Sequence, residues 1–211
     1  MPLIHKREIS PTATLGIWEV LETEAELTGS YPADHLELEK LKSFSHPFRR
    51  TQFLASRLLL HTLIPGSKII YDENGKPFPD KKNMHISLSH SGKLIAMMID
   101  ENKCGIDIET IRPKIEKIAV RFLSDEELPF ALQEPTIERL HVYWCVKEAI
   151  YKVNGEKNIS LKTDIFVHQL NPTISGITSA TLTKSGKSFS INVHYERFQD
   201  CMLAWTEQHG Q

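Results

Sequence analysis

Two carboxylates lie two residues apart in an apolar run, Cys104-Gly105-Ile106-Asp107-Ile108-Glu109. In a strand, side chains alternate, so Asp107 and Glu109 share one face while Ile106 and Ile108 take the other. Carboxylates that close repel each other, and a divalent cation is the usual relief. Farther along, Trp144-Cys145-Val146-Lys147-Glu148-Ala149-Ile150-Tyr151-Lys152 has helical spacing, with Trp144, Glu148 and Lys152 stacked on one face. That helix brings a third carboxylate and a lysine suited to a phosphate. The combination predicts a Mg²⁺ site for phosphoryl chemistry. Taken singly, Asp107 and Glu109 also suit a solvated edge strand, and Glu148 and Lys152 a surface ion pair.

Other stretches offer anion ligands. In Asn74-Gly75-Lys76-Pro77 a turn glycine lets the backbone approach a ligand and a lysine follows at once. Ile86-Ser87-Leu88-Ser89-His90-Ser91-Gly92 gathers small donors and an imidazole at a strand end, good groups for phosphate oxygens. Arg49, Arg50 and Arg57 line one helix, and Arg50 and Arg57 are candidates to grip a terminal phosphate. The histidines are scattered without H-x-x-x-H or H-E-x-x-H spacing, which speaks against a zinc hydrolase. The P-loop, the dinucleotide fingerprint and the G-x-S-x-G elbow are all absent from the sequence.

The elements that must position these groups follow from periodicity and punctuation. Leu15 to Val20 reads as a first strand, and Asp34 caps a helix with Leu36, Leu38, Leu41 and Phe44 as its apolar positions. A second helix runs from Phe48 to His61 and stops before Pro65-Gly66. Lys68 to Tyr71 is a short strand, and Met84 to Ser89 with Lys93 to Ile99 form a hairpin around His90-Ser91-Gly92. Beyond the carboxylate strand, a helix is predicted from Thr110 to about Leu123, entered through Arg112-Pro113. Ser124-Asp125-Glu126-Glu127 has the S-x-x-E form of a capping box. The long helix spans about Ile137 to Val153, ended by Asn154-Gly155. Strands follow at Ile165 to Leu170, Ile177 to Leu182, Ser188 to Tyr195 and Met202 to Thr206. One long helix and a run of antiparallel strands thus occur twice. The expectation is an α+β fold of two similar halves, residues 1–103 and 104–211, with the active site at their seam.

In this order and spacing the motifs resemble the paired signature of the 4′-phosphopantetheinyl transferases, with Gly75-Lys76-Pro77 and Ser87-Leu88-Ser89-His90-Ser91 upstream. The length is similar to the larger monomeric type that activates peptide and polyketide synthetases. The resemblance implies a pseudo-twofold α+β fold. The implied reaction is transfer of phosphopantetheine from coenzyme A to a carrier-protein serine, with release of adenosine 3′,5′-bisphosphate. It requires Mg²⁺, for which Mn²⁺ can substitute. By position, Asp107, Glu109 and Glu148 would bind the metal and Lys152 the pyrophosphate. Gly75, Lys76, Ser89 and His90 would hold the nucleotide end, with Arg50 or Arg57 on the 3′-phosphate. Glu127 falls where the family has a base or a water-mediated metal partner, although its capping box with Ser124 explains it equally well. The carrier would dock on residues 110–123, where Arg112, Lys114, Lys117 and Arg121 alternate with Ile115, Ile118, Ala119 and Phe122. An ordinary amphipathic core helix is the competing account of that stretch.

Composition bounds the alternatives. A chain of 211 residues, 40% hydrophobic and 25% charged, can bury a real core. A net charge of −2 gives no electrostatic case for nucleic acid as a partner. The three dispersed cysteines fit a reducing compartment, and no apolar run matches a signal peptide or a membrane span. A cytoplasmic monomer is expected. Two rival functions remain: a metal-dependent nuclease or phosphohydrolase, and a non-catalytic coenzyme-A-binding homologue. The first usually places its lysine two residues after the acidic strand residue, where this chain has Ile111.

Overall fold

A computed structural model describes residues 2–73, 75–155, 158–168, 170 and 175–207. The chain divides into two compact units, Met1–Glu101 and Asn102–Gln211. Both mix helices with antiparallel strands.

The first unit opens with β1 (Leu3–Glu8) and β2 (Thr14–Glu19). Next come α1 (Glu24–Ser30) and α2 (His35–Lys42), each begun by a full capping box, Thr23 with Glu26 and Asp34 with Glu37. The main helix, α3 (Pro47–Leu63), carries Pro47 in its first turn and buries Phe53 to Leu60 continuously. Short strands β3 (Ile69–Tyr71) and β4 (Pro77–Pro79) pair with each other. The hairpin β5 (His85–Ser91) and β6 (Leu94–Asp100) completes a four-stranded sheet in the order β1-β2-β6-β5. Met97, Leu59, Leu54 and Leu27 lie at the centre of its core. The helix predicted behind Asp34 forms, but its inner face differs from the expectation. Leu36 is 75% exposed, and the buried positions are Leu41 and the charged Glu37. Asn74 of the predicted turn lies outside the described residues.

The second unit begins with the carboxylate strand β7 (Ile106–Thr110). The helix expected over 110–123 is broken: a 3₁₀ segment, Pro113–Ile118, precedes a single helical turn, α4 (Ala119–Phe122). Ile115, Ala119 and Phe122 nevertheless face the core, as the spacing requires. Another short turn, α5 (Leu128–Ala131), leads to α6 (Thr136–Asn154), the longest helix, which ends in left-handed Gly155. The strands β8 (Ile165–Val167), β9 (Ser175–Lys184), β10 (Lys187–Phe198) and β11 (Cys201–Glu207) join β7 in the order β7-β11-β10-β9-β8. No helix among the described residues is long and apolar enough to cross a membrane.

Candidate functional site

The site in the second unit is built where β7 meets α6. Gly105 sets that approach. A Cβ placed there would lie 2.0 Å from the Ala149 carbonyl oxygen and 2.7 Å from Val153 Cγ2, so only glycine lets the helix backbone come this close. Thr206 fixes the glycine from the other side: Gly105 N–H donates to Thr206 Oγ1 at 3.0 Å, and Thr206 N–H donates to the Gly105 carbonyl at 2.9 Å.

Antiparallel pairing sets Asp107 opposite Ala204 and Glu109 opposite Met202, and Ala204 and Met202 belong to the core cluster beneath α6. Ile106 and Ile108 are fully buried on the other face. From α6, Lys152 Nζ reaches back to β7 and donates to Asp107 Oδ1 at 2.7 Å and to the Ile106 carbonyl at 2.9 Å. Glu148, one turn earlier, is half-buried and accepts no hydrogen bond among the described residues. Its carboxyl is raised above 4.5, first by burial and then by the charges of Asp107 and Glu109, against which Lys152 acts. Three acidic groups therefore feel one another around a single lysine.

The donor chemistry of this set, all oxygen and mutually repelling, fits a hard divalent cation. A closed three-ligand geometry is not formed, since no group of three or more His, Cys, Asp or Glu side chains among the described residues is arranged to hold a metal. Lys152 pairs with Asp107, the most deeply buried of the three. Between Trp144 and Glu148, the Cys145 thiol is buried, donates to the Met202 carbonyl, and is pushed well above its ordinary range by burial. Its role is packing.

Glu127 is fully buried and engaged on both oxygens. Oε2 accepts from Ser124 N–H and from Lys147 Nζ, at 2.8 and 2.7 Å, and Oε1 accepts from Val167 N–H at 2.8 Å. Lys147, also sealed from solvent, donates in addition to the Leu161 and Ile165 carbonyls. The capping box predicted with Ser124 is present, and the Lys147 pair was legible only in three dimensions.

The first unit holds the residues expected to contact the nucleotide. Arg57 departs from that expectation. Its guanidinium is 2% exposed, pairs with Glu37 Oε1 at 2.9 Å, donates to the Phe53 carbonyl, and lies over the Phe53 ring. Tyr31 OH also donates to Glu37, so the arginine belongs to a buried structural cluster. Arg50 is paired with Glu24. Arg49, by contrast, approaches His90 Nε2 at 3.3 Å, and the two border a small cavity of about 140 Å³ with Gln52, Ser56 and Tyr71. Ser89 is buried on β5 and His90 exposed. Gly75 has φ of +80°, as a turn glycine should, and borders a wider cavity of about 730 Å³ with Lys40, Lys68, Phe44 and Tyr71. Lys76 donates its N–H to Asp72 Oδ1.

Residues 103–205 match the family model of the 4′-phosphopantetheinyl transferase superfamily. That match lies in the C-terminal half of the chain. Relatives include the 4′-phosphopantetheinyl transferase AcpT of Escherichia coli K12, 41% identical over 115 residues, covering 51% of this chain and 59% of the relative. Sfp of Bacillus subtilis 168, also a 4′-phosphopantetheinyl transferase, is 30% identical over 145 residues, 63% of this chain and 64% of its own. The transferase psf-1 of Bacillus pumilus is 36% identical over 124 residues, 54% and 52% of the two chains. The match thus spans less than two thirds of each of these transferases. Within the superfamily segment fall β7, α6, the three carboxylates and Lys152.

Proposed function

We propose that this protein transfers the 4′-phosphopantetheine group from coenzyme A to a serine of an apo carrier protein, in a Mg²⁺-dependent reaction that releases adenosine 3′,5′-bisphosphate. The observation that carries this reading is the gathering of Asp107, Glu109, Glu148 and Lys152 where β7 meets α6, inside the segment that matches the transferase family. Asp107, Glu109 and Glu148 would hold the divalent ion, whose contribution when bound is to offset diphosphate charge and ease hydroxyl deprotonation. Lys152 would contact the pyrophosphate. The serine Oγ attacks the phosphorus bearing the pantetheine arm, the bond from that phosphorus to the bridging oxygen breaks, and the nucleotide departs with that oxygen. One of these carboxylates would accept the serine proton. Glu127 we assign to bracing Lys147 and β8, because both its oxygens are committed.

For the nucleotide end we propose Gly75 and Lys76 with Ser89, His90 and Arg49, on the first unit. Arg49 and His90 already share a cavity rim there, whereas Arg57 is occupied by Glu37. Carrier docking is assigned to residues 110–123 through the exposed Arg112, Lys114, Lys117 and Arg121. The apolar contact in that stretch is Val120, 59% exposed, rather than the buried Ile115, Ala119 and Phe122. The protein would act in the cytoplasm as a monomer, and its three cysteines, buried and not in disulfides, accord with a reducing compartment. Mass spectrometry of an acidic apo carrier incubated with the protein, coenzyme A and Mg²⁺ tests the reading. A gain of one phosphopantetheine group, abolished by EDTA, is expected; an unmodified carrier would refute it.

A further inference from the structure

His141 takes no part in the chemistry above, yet its position is constrained on both sides. The ring is 2% exposed. Nδ1 lies 2.7 Å from the Ile137 carbonyl, one turn back on α6, and Nε2 lies 3.2 Å from the backbone nitrogen of Arg112. A carbonyl oxygen only accepts and a backbone N–H only donates. Nδ1 therefore carries the hydrogen, Nε2 is bare, and the ring is neutral. Arg112 heads the 3₁₀ segment Pro113–Ile118, where no side chain caps the turn and Pro113 offers no N–H. Ile111 is held separately, by its N–H to the Asp200 carbonyl at 2.9 Å. The imidazole thus anchors the residue from which the basic docking stretch begins.

We propose that His141 is a positioning residue for carrier docking, a latch that holds the Arg112 backbone while its ring is neutral and lets go when Nε2 gains a proton. The inference rests on the carrier-transfer reading for its functional consequence, but the latch itself does not. Protonation turns the acceptor into a donor, so an N–H would face the Arg112 N–H and that bond would be lost. The groups bearing on the ring come from several elements. Glu138, on its own helix, favours the charged form and is itself paired with Arg197 of β10 at 3.8 Å. The Thr110 carbonyl at the end of β7 and the Ile137 carbonyl act in the same direction. Burial outweighs them and holds the ring below the ordinary 6.5, so the latch is closed at neutral pH and opens on acidification.

Nuclear magnetic resonance on the whole protein, labelled with ¹⁵N, reads the latch directly. The imidazole shifts should report the Nδ1–H tautomer at neutral pH. Protection of the Arg112 amide against hydrogen exchange, corrected for intrinsic rate, should fall about tenfold per pH unit once His141 titrates. The Ile111 amide should not follow. Affinity for an acidic apo carrier should hold level until the open form predominates and then fall, and in His141→Ala it should be lower and flat over the same range. An Nε2–H tautomer, or Arg112 protection indifferent to pH, would overturn the latch, and both are measured on the wild type even if the variant folds poorly. An equal fall of affinity in His141→Ala would overturn its link to docking. If Arg112 follows His141 while no carrier binds at any pH, the latch stands and the carrier reading fails.

Discussion

Substituting Gly105 by alanine tests the packing on which the site depends. The new Cβ would sit 2.0 Å from the Ala149 carbonyl oxygen, where Cβ contacts under 3.0 Å are essentially never seen. Thr206 holds both the amide and the carbonyl of residue 105, so the strand cannot easily yield. The helix must retreat by about 1 Å, a displacement that can cost on the order of 10²-fold in rate when it misplaces reacting groups. Overpacking of this kind costs about 1–3 kcal/mol, which for a chain of this size lowers Tm by roughly 2–12 °C. The same retreat stretches the 2.7 Å contact between Lys152 and Asp107. Thermal melting and steady-state transfer to a carrier would be measured side by side. The expected variant is folded, destabilised within that range, and slowed far beyond what its unfolded fraction explains. A Gly105→Ala protein with unchanged Tm and full activity would refute the reasoning.

Arg57→Met leaves Glu37 buried without its arginine and should cost about 3–5 kcal/mol in urea unfolding; in the folded fraction KM for coenzyme A should stay within twofold of wild type, about the scatter of such comparisons. Lys147→Met should be similarly destabilising, because it leaves the Glu127 carboxylate buried without its cation; urea unfolding of a Lys147→Met protein as stable as wild type would contradict this. Glu148 gives a pH signature. Its folded carboxyl is raised above 4.5, so without metal the folded form keeps a proton that the unfolded chain has released, and stability declines as pH rises through that window. In Glu148→Gln that part of the slope should vanish from a pH series of melts.

Strong periodicity and explicit punctuation made much of the fold readable. The helices behind Asp34 and Pro47, the hairpin at Gly92 and the helix ending at Gly155 are all formed. Elements with mixed patterns escaped. In β1 the inward positions include His5 and Arg7, so hydrophobic alternation is blurred. The strand β4 has proline at two of its three positions, which argues against a strand. The short α1 carried a readable signal, Thr23 three residues before Glu26, that its acidic composition obscured. For the site, spacing alone placed Asp107 and Glu109 on one face and Glu148 with Lys152 on one helix. It could not reveal that Arg57 and Lys147 are buried and claimed by Glu37 and Glu127, because such pairings join residues 20 apart in the chain. The break of 110–123 into two short turns was equally hidden, since either form points Ile115, Ala119 and Phe122 inward.

The pair of Lys147 and Glu127 lies beyond the reach of dissolved ions, with both side chains 0% exposed. Arg112, Lys114, Lys117 and Arg121 stand in the solvent, where a Debye length of about 8 Å at physiological ionic strength governs them. Added electrolyte therefore separates the two kinds of charge in this unit. It mutes the outward-facing cations, and with them any attraction to an acidic surface, while leaving the internal tie between α6 and β8 as strong as before.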